Sequence, residues 1–377
     1  MNIKRHGESR VWLEISLSTL RENFKRIEQV VSPTKLIAVL KANAYGLGVL
    51  QIAKTLSEAG ASGFGVAEIN EALQLAPLGK PVQILGAVLP SEIPPAVEAG
   101  IILPISDLET AREISAESAR QGKTTECAFK IDTGMGRLGI LARDACAVIR
   151  EVVKLPNLAC KGIYSHFPIA YRTGSDYTHG QGERFFKILE ELKADGISFE
   201  KIHIANSDAI NNFPFTYNFP FTYVRTGINL HGSFDNEGQR ALKLESILTL
   251  KTRLAAIRTL PAGSSIGYGC TYKLFKDTKV GTIAAGYADG LPLALSNRGY
   301  VLIHGYPCPV IGRISMDYTT VSLEPVPPEK LHCGDEVICL GGDGVNAITV
   351  ESWGQLKGTH AYEIICSFGS RVERRYV

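Results

Sequence analysis

Between Trp12 and about Leu230, short apolar or β-branched runs alternate eight times with longer stretches of helical period, and this alternation limits the fold more than any other feature. It is the signature of parallel strands joined by helices. The expected strands are residues 37–41, 64–67, 82–85, 101–105, 127–132, 162–166, 202–206 and 223–227. Between them, Ser18 can cap a helix reaching Arg26, and VLQIAKTLSEAG stops at Gly60. Asp107 can cap a helix through Glu117, residues 143–154 supply another, and RFFKILEELKADG from Arg184 ends on Gly196, a glycine C-cap. Eight such units in about 220 residues suit a (β/α)8 barrel of the TIM type, which needs roughly 250. A doubly wound open sheet is the competing topology, but the first strand lacks the G-x-G-x-x-G turn that would favour it.

After about Arg240 the texture changes to short β-type runs (LTLKTRLAAI, KVGTIAAG, YVLIHG, PVIGRIS, TTVSL, EVICLGG) broken by Pro, Gly, Asn and Asp. This predicts two domains: a barrel over residues 1–240 and a mostly antiparallel β domain over 241–377, with residues 1–12 able to join the latter. Forty basic against 38 acidic side chains leave a net charge of +2, which argues against a nucleic-acid or acidic-membrane partner and for a small-molecule ligand. The eight cysteines form no C-x-x-C pair and no metal-type cluster, as expected of reduced thiols with no metal. No secretory core follows MNIKRHGESRVWLEI and no run of about 18 apolar residues occurs, so a soluble, cytoplasmic protein is expected.

In a parallel barrel, reacting groups sit where strands pass into loops at the C-terminal face. Those positions carry Lys41, Lys130 and Asp132, His166, Asn206 and Ser207, and Arg225. Any one of them alone is as well explained by solvation; together they aim at one mouth. A lysine inside a cavity, without paired carboxylates, metal ligands or a Walker-type loop, suits a desolvated amine that forms a Schiff base with an aldehyde. Pyridoxal phosphate is the obvious aldehyde cofactor, and Tyr45, Ser207 and the backbone N–H groups of Gly227 and Ile228 could cradle its phosphate.

The segments AVLKANAYGLG, KIDTGMGRLGI, SHF, HIANS, VRTGI, GYG, GYADG, IGRISMD and AYEIICSFGSRV resemble the alanine racemase family over essentially the whole chain and in the family's order. One such piece is weak; nine in register are specific. The resemblance implies a barrel plus a β domain and a homodimer with shared active sites. It also implies an isomerase that interconverts L- and D-alanine by a two-base mechanism and supplies D-alanine for peptidoglycan. Lys41 would anchor pyridoxal 5'-phosphate and serve as the base for the D-isomer, while Tyr268 of the other subunit would serve the L-isomer. A free phenol ionises near pH 10, so Tyr268 would need a cationic field, for which Arg137, His166 and Arg225 are candidates. By the same resemblance Arg225 faces the pyridine nitrogen with His166 against it, and Arg137 holds the substrate carboxylate. Met316 offers its backbone N–H to that carboxylate, Tyr287 narrows the entrance, Tyr362 reaches the phosphate, and Lys130 matches a lysine that some members carry as a carbamate. The chain departs from the family's pattern in PIAYRTGSDYTHG after SHF, and at Ser315, His231 and Gly267, which leaves substrate selectivity open. A broader amino-acid racemase and a pyridoxal-phosphate decarboxylase of similar architecture are the alternatives; the decarboxylase should carry an acid where Arg225 stands.

Overall fold

The computed structural model describes residues 9–235 and 240–377. The chain divides into two compact units, Leu20–Leu244 and a second made of the residues up to Thr19 with Glu245–Val377. The break expected after residue 240 thus compares with an observed one after Leu244, and the N-terminal segment of the β unit runs to Thr19 rather than to residue 12.

In Leu20–Leu244 eight parallel strands follow one another around a ring. Lys35–Val39, Gly63–Val66 and Val82–Ile84 pair in sequence, and Leu103–Ile105, Thr125–Asp132, Leu158–Tyr164 and Lys201–His203 form the next run. Two joints close the ring. Ile84 N–H donates to Ile102 O at 3.1 Å, linking the third strand to the fourth. On the other side Thr222 N–H reaches Ile202 O at 3.0 Å and Arg225 N–H reaches Ala205 O at 3.2 Å, while the eighth strand, Tyr223–Thr226, pairs with Lys35–Val39. Among the described strands the ring is closed, as a barrel requires. Apolar strand residues such as Ile37, Phe64, Val66, Phe129 and Val224 are buried, and the packed interior leaves the strand ends as the place for chemistry.

The helices follow their capping signals with two exceptions. Asp107 accepts Thr110 N–H at 2.7 Å and starts Leu108–Arg120, and Gly60, at φ 113°, ends Val49–Ala59. The first helix, Leu17–Val31, begins before Ser18; Ser16 Oγ accepts Thr19 N–H at 3.3 Å and takes the capping role. The helix expected from Arg184 begins at Asp176 and runs to Ala194, so the last five residues of the PIAYRTGSDYTHG stretch are helical.

In the second unit a long strand, Leu248–Leu260, is the spine. It pairs antiparallel with Val11–Ile15, Glu336–Leu340 and Thr278–Ile283. Val11–Ile15 in turn pairs parallel with the C-terminal Glu373–Tyr376, so the chain's described start is stitched between the spine and its end. All eight cysteines are free, and no described helix is long and apolar enough to cross a membrane.

Candidate active site

The first strand stops at Val39, so Lys41, expected as its last residue, instead opens a single left-handed turn. Ala42, Asn43, Ala44 and Tyr45 have φ of 54°, 55°, 52° and 59°. For residues with a Cβ each costs about 1–2 kcal/mol, and such strain persists only where surroundings hold it. Here Glu71 holds it: its two carboxylate oxygens accept Ala42 N–H at 2.5 Å and Ala67 N–H at 2.8 Å. Asn43 Oδ1 accepts Val49 N–H at 2.8 Å, and Gly46, at φ 82°, closes the turn. The reversal leaves Lys41 exposed at the mouth and carries Tyr45, only 4% exposed, inward.

Tyr45 Oη abuts Gly227, where a Cβ would fall on top of the hydroxyl, so only glycine fits. Gly227 N–H donates to Ser207 Oγ at 3.1 Å, and Ser207 begins the helix Ser207–Asn212, capped by Asn206 through Ala209 N–H at 2.9 Å. Three elements therefore bring Tyr45, Ser207 and the Gly227–Ile228 turn to one point, offering hydroxyls and backbone N–H groups: the donor set of a phosphate cradle. His231 packs edge-on against Tyr45, with ring centroids 5.0 Å apart.

Arg225 is buried and spends its fork on fixed acceptors. Nη2 donates to Ser165 O at 2.7 Å and Ile204 O at 3.2 Å, and lies 3.4 Å from His166 Nδ1. Nη1 meets His203 Nδ1 at 2.5 Å, and the guanidinium lies 5.6 Å from the centre of the Tyr164 ring, on which His203 stacks. Burial lowers the Arg225 pKa to about 10, which still leaves a cation at neutral pH. His166 is held well below the usual histidine range by burial first and then by Arg225, Arg137, Lys130 and Lys41, so it is neutral.

Lys130 is 6% exposed, donates to Leu85 O and lies 5.2 Å from the centre of the Tyr164 ring. Burial, then Arg225, Arg137 and Lys41, push its pKa down to about 7. Asp132, on the same strand, does not pair with it. Its oxygens accept the backbone N–H groups of Gly134, Met135, Gly136 and Arg137 at 2.9–3.2 Å, folding the loop that presents Arg137. The Arg137 side chain is exposed and has no partner among the described residues. Lys41, Lys130, Arg137, His166 and Arg225 thus act on one another electrostatically around one mouth.

In the β unit Tyr268 opens a short helical turn and is 71% exposed; Tyr287 and Met316 are 46% and 52% exposed. Tyr287 N–H donates to Ser315 O at 3.0 Å, which couples the GYADG turn to the ISMD turn. Gly286 fits there because a Cβ would strike the carbonyls of Ser315 and Met316. Tyr362 sits on Ala361–Cys366 with its ring 5.7 Å from that of His360. Sequence reasoning missed Glu71, Asn43, Tyr164 and His203. Only His203 carried a signal, being a polar residue at the end of the strand Lys201–His203.

The donors at this mouth fit pyridoxal phosphate: an amine for its aldehyde, hydroxyls and backbone N–H groups for its phosphate, and a buried arginine that could face its ring nitrogen. Residues 15–234 match the alanine racemase N-terminal domain and residues 247–376 the alanine racemase C-terminal domain. An alanine racemase from Desulforamulus reducens is 38% identical over 373 residues, 97% of this chain and 99% of the relative. Among solved structures, alanine racemase from D-cycloserine producing Streptomyces lavendulae superposes with a TM-score of 0.91 at 33% identity, over 99% of this chain and 98% of that one. Alanine racemase from Bartonella henselae, solved with covalently bound pyridoxal phosphate, gives 0.87 at 28% identity, over 98% and 100%. With both of its parts matched in order and full-length relatives above 30% identity, the chain belongs to the alanine racemase family.

Proposed function

We propose that this chain interconverts L- and D-alanine with pyridoxal 5'-phosphate, and that it supplies D-alanine for peptidoglycan from the cytoplasm. The observation that carries the reading is the convergence of Lys41, Tyr45, Ser207, Gly227 and Arg225 on one cationic mouth, where the oxygens of the strand-end Asp132 are taken up by backbone N–H groups. When bound, pyridoxal phosphate withdraws electrons from the substrate's Cα and so acidifies its proton.

The barrel residues divide the remaining work. Lys41 Nζ anchors the cofactor and afterwards takes or returns a proton on one face of Cα. Tyr45 Oη, Ser207 Oγ and the start of the Ile228–His231 turn hold the phosphate. Arg225, its charge fixed by carbonyl and imidazole acceptors, donates toward the ring nitrogen and keeps it from gaining a proton, which weakens the electron sink and favours prompt reprotonation over decarboxylation. Arg137 clamps the substrate carboxylate through its planar fork.

A second base must stand on the opposite face. Tyr268, exposed on the β unit together with Tyr287 and Met316, fits that role from a second copy of the chain, in a homodimer with shared sites. Met316 N–H would then meet the carboxylate and Tyr287 the entrance. The test is a mixed dimer: Lys41→Ala and Tyr268→Phe homodimers should each be inactive in an alanine racemisation assay, and mixing them should restore activity, because one of the two hybrid sites holds both bases. No recovery from a mixture shown to exchange subunits would sink the shared-site reading.

A further inference from the structure

The loop that presents Arg137 is gripped from two sides. From within, Asp132 collects four successive backbone N–H groups, those of residues 134–137. From without, the first turns of the helix Asp176–Ala194 collect the loop's carbonyls. Tyr177 Oη donates to Gly134 O at 2.6 Å, and Arg184 Nε donates to Thr133 O at 2.8 Å. Gly134 lies at φ 139°, and a Cβ there would stand 2.8 Å from Tyr177 Oη and 3.2 Å from Arg184 Nη2, so the helix presses directly on the peptide it holds. Gln181 ties the same helix to the next strand end, donating to His166 O at 3.1 Å and Thr133 Oγ1 at 3.3 Å.

We infer that Tyr177, backed by Arg184, is a positioning residue for Arg137 and thereby sets the enzyme's affinity for the carboxylate of its amino-acid substrate. The inference rests on the reading that Arg137 binds that carboxylate. Its physical content is a fraction: a loop held in the binding-competent arrangement for only part of the time weakens apparent affinity in proportion. Arg137 has no side-chain partner of its own among the described residues, so its placement depends on its backbone. The backbone depends on Asp132 inside and on Tyr177 and Arg184 outside.

The experiment uses the holoenzyme and two readouts, steady-state kinetics in both directions and inhibition by propionate, a carboxylate without the amine. Tyr177→Phe deletes one hydrogen bond from a side chain that is 49% exposed. It should raise KM for both enantiomers and the propionate Ki by one common factor, between about 2- and 10-fold, with kcat changed less than about 2-fold. Arg137→Ala should raise the propionate Ki at least as far, and the double variant should match Arg137→Ala alone. If Arg137→Ala raises Ki while Tyr177→Phe does not, or the two effects multiply, the positioning role is overturned and the Arg137 reading stands. If Arg137→Ala leaves KM and Ki unchanged, the Arg137 reading falls and the inference falls with it. A parallel loss of Tm and kcat in Tyr177→Phe, without a change in propionate Ki, marks a merely structural contact and also overturns it.

Discussion

Replacing Lys130 by methionine tests the electrostatics of the mouth, because the lysine is nearly fully buried among cations. Its pKa falls from 10.5 to about 7, chiefly through burial and then through Arg225, Arg137 and Lys41. At about 1.36 kcal/mol per pH unit, the folded cation costs at most about 5 kcal/mol. The unfolded chain keeps the Lys130 proton up to about pH 10.5, whereas the folded chain releases it above about 7. Between those limits the unfolded state binds more protons, so stability rises with pH; below about 7 both states are protonated and the whole penalty is felt. Methionine is a similar unbranched chain with no proton to lose. From pH 6 to pH 9 the wild-type protein should therefore gain about 2.7 kcal/mol relative to Lys130→Met, read from denaturant unfolding of the two holoenzymes at each pH. A difference that stays flat across this range refutes the reasoning. A wild-type stability that instead follows added bicarbonate, with no response in Lys130→Met, assigns the residue to a carbamate.

Three further outcomes follow from particular contacts. Glu71→Gln keeps one acceptor oxygen but turns an NH2 toward the other backbone donor, so the Lys41 turn loses one of two anchors. Cofactor retention on dialysis should drop several-fold, by about the 1–3 kcal/mol of an unsatisfied group, and retention equal to wild type would remove Glu71 from the account. Gly227→Ala drives a Cβ into Tyr45 Oη, and Tyr45 cannot swing aside against buried His231. Pyridoxal-phosphate affinity, measured by titrating the cofactor-free protein, should fall at least about 10-fold, and an unchanged value would place the phosphate elsewhere. Tyr268→Phe should slow solvent deuterium exchange into L-alanine more than into D-alanine; equal slowing would argue against a one-sided base.

The barrel was legible because its signal is periodic: buried parallel strands read as short apolar runs, and glycine or aspartate marks where helices stop or start. What escaped depends on partners far away in the chain. Nothing in KANAY predicts a left-handed turn, since alanine disfavours it; the stabilising carboxylate is Glu71, 29 residues from Ala42. The early start of the helix Asp176–Ala194 was hidden by DYTHGQG, which is polar and carries two glycines, and is held by bonds to residues 133, 134 and 166. Ser18 and Ser16 are both good caps, and only the backbone geometry chooses between them. The chemistry-bearing residues were readable as strand-end polar groups, yet His203 was passed over because its importance comes from Arg225, 22 positions later.

The distribution of charge explains why this mouth suits a doubly anionic cofactor and an amino acid together. Lys41, Lys130, Arg137 and Arg225 share the space with His166, and Asp132, on the same strand as Lys130, has its pKa lowered by four backbone N–H groups that occupy its oxygens. Crowded cations relieve themselves by shedding protons from the weakest bases, which is why His166 is neutral and Lys130 titrates near 7. Arginines at this site cannot do the same at neutral pH. The positive charge of Arg225 is aimed by backbone carbonyls and imidazoles, and so is available to anions that enter. On the proposed placement of Arg225 at the ring nitrogen, a carboxylate standing in its place would let that nitrogen hold a proton, which is the arrangement expected of a decarboxylase. The carbonyls of Ser165 and Ile204 and the two imidazoles orient Arg225 without cancelling its charge, and on the proposed placement of Arg225 that choice of acceptors would favour racemisation.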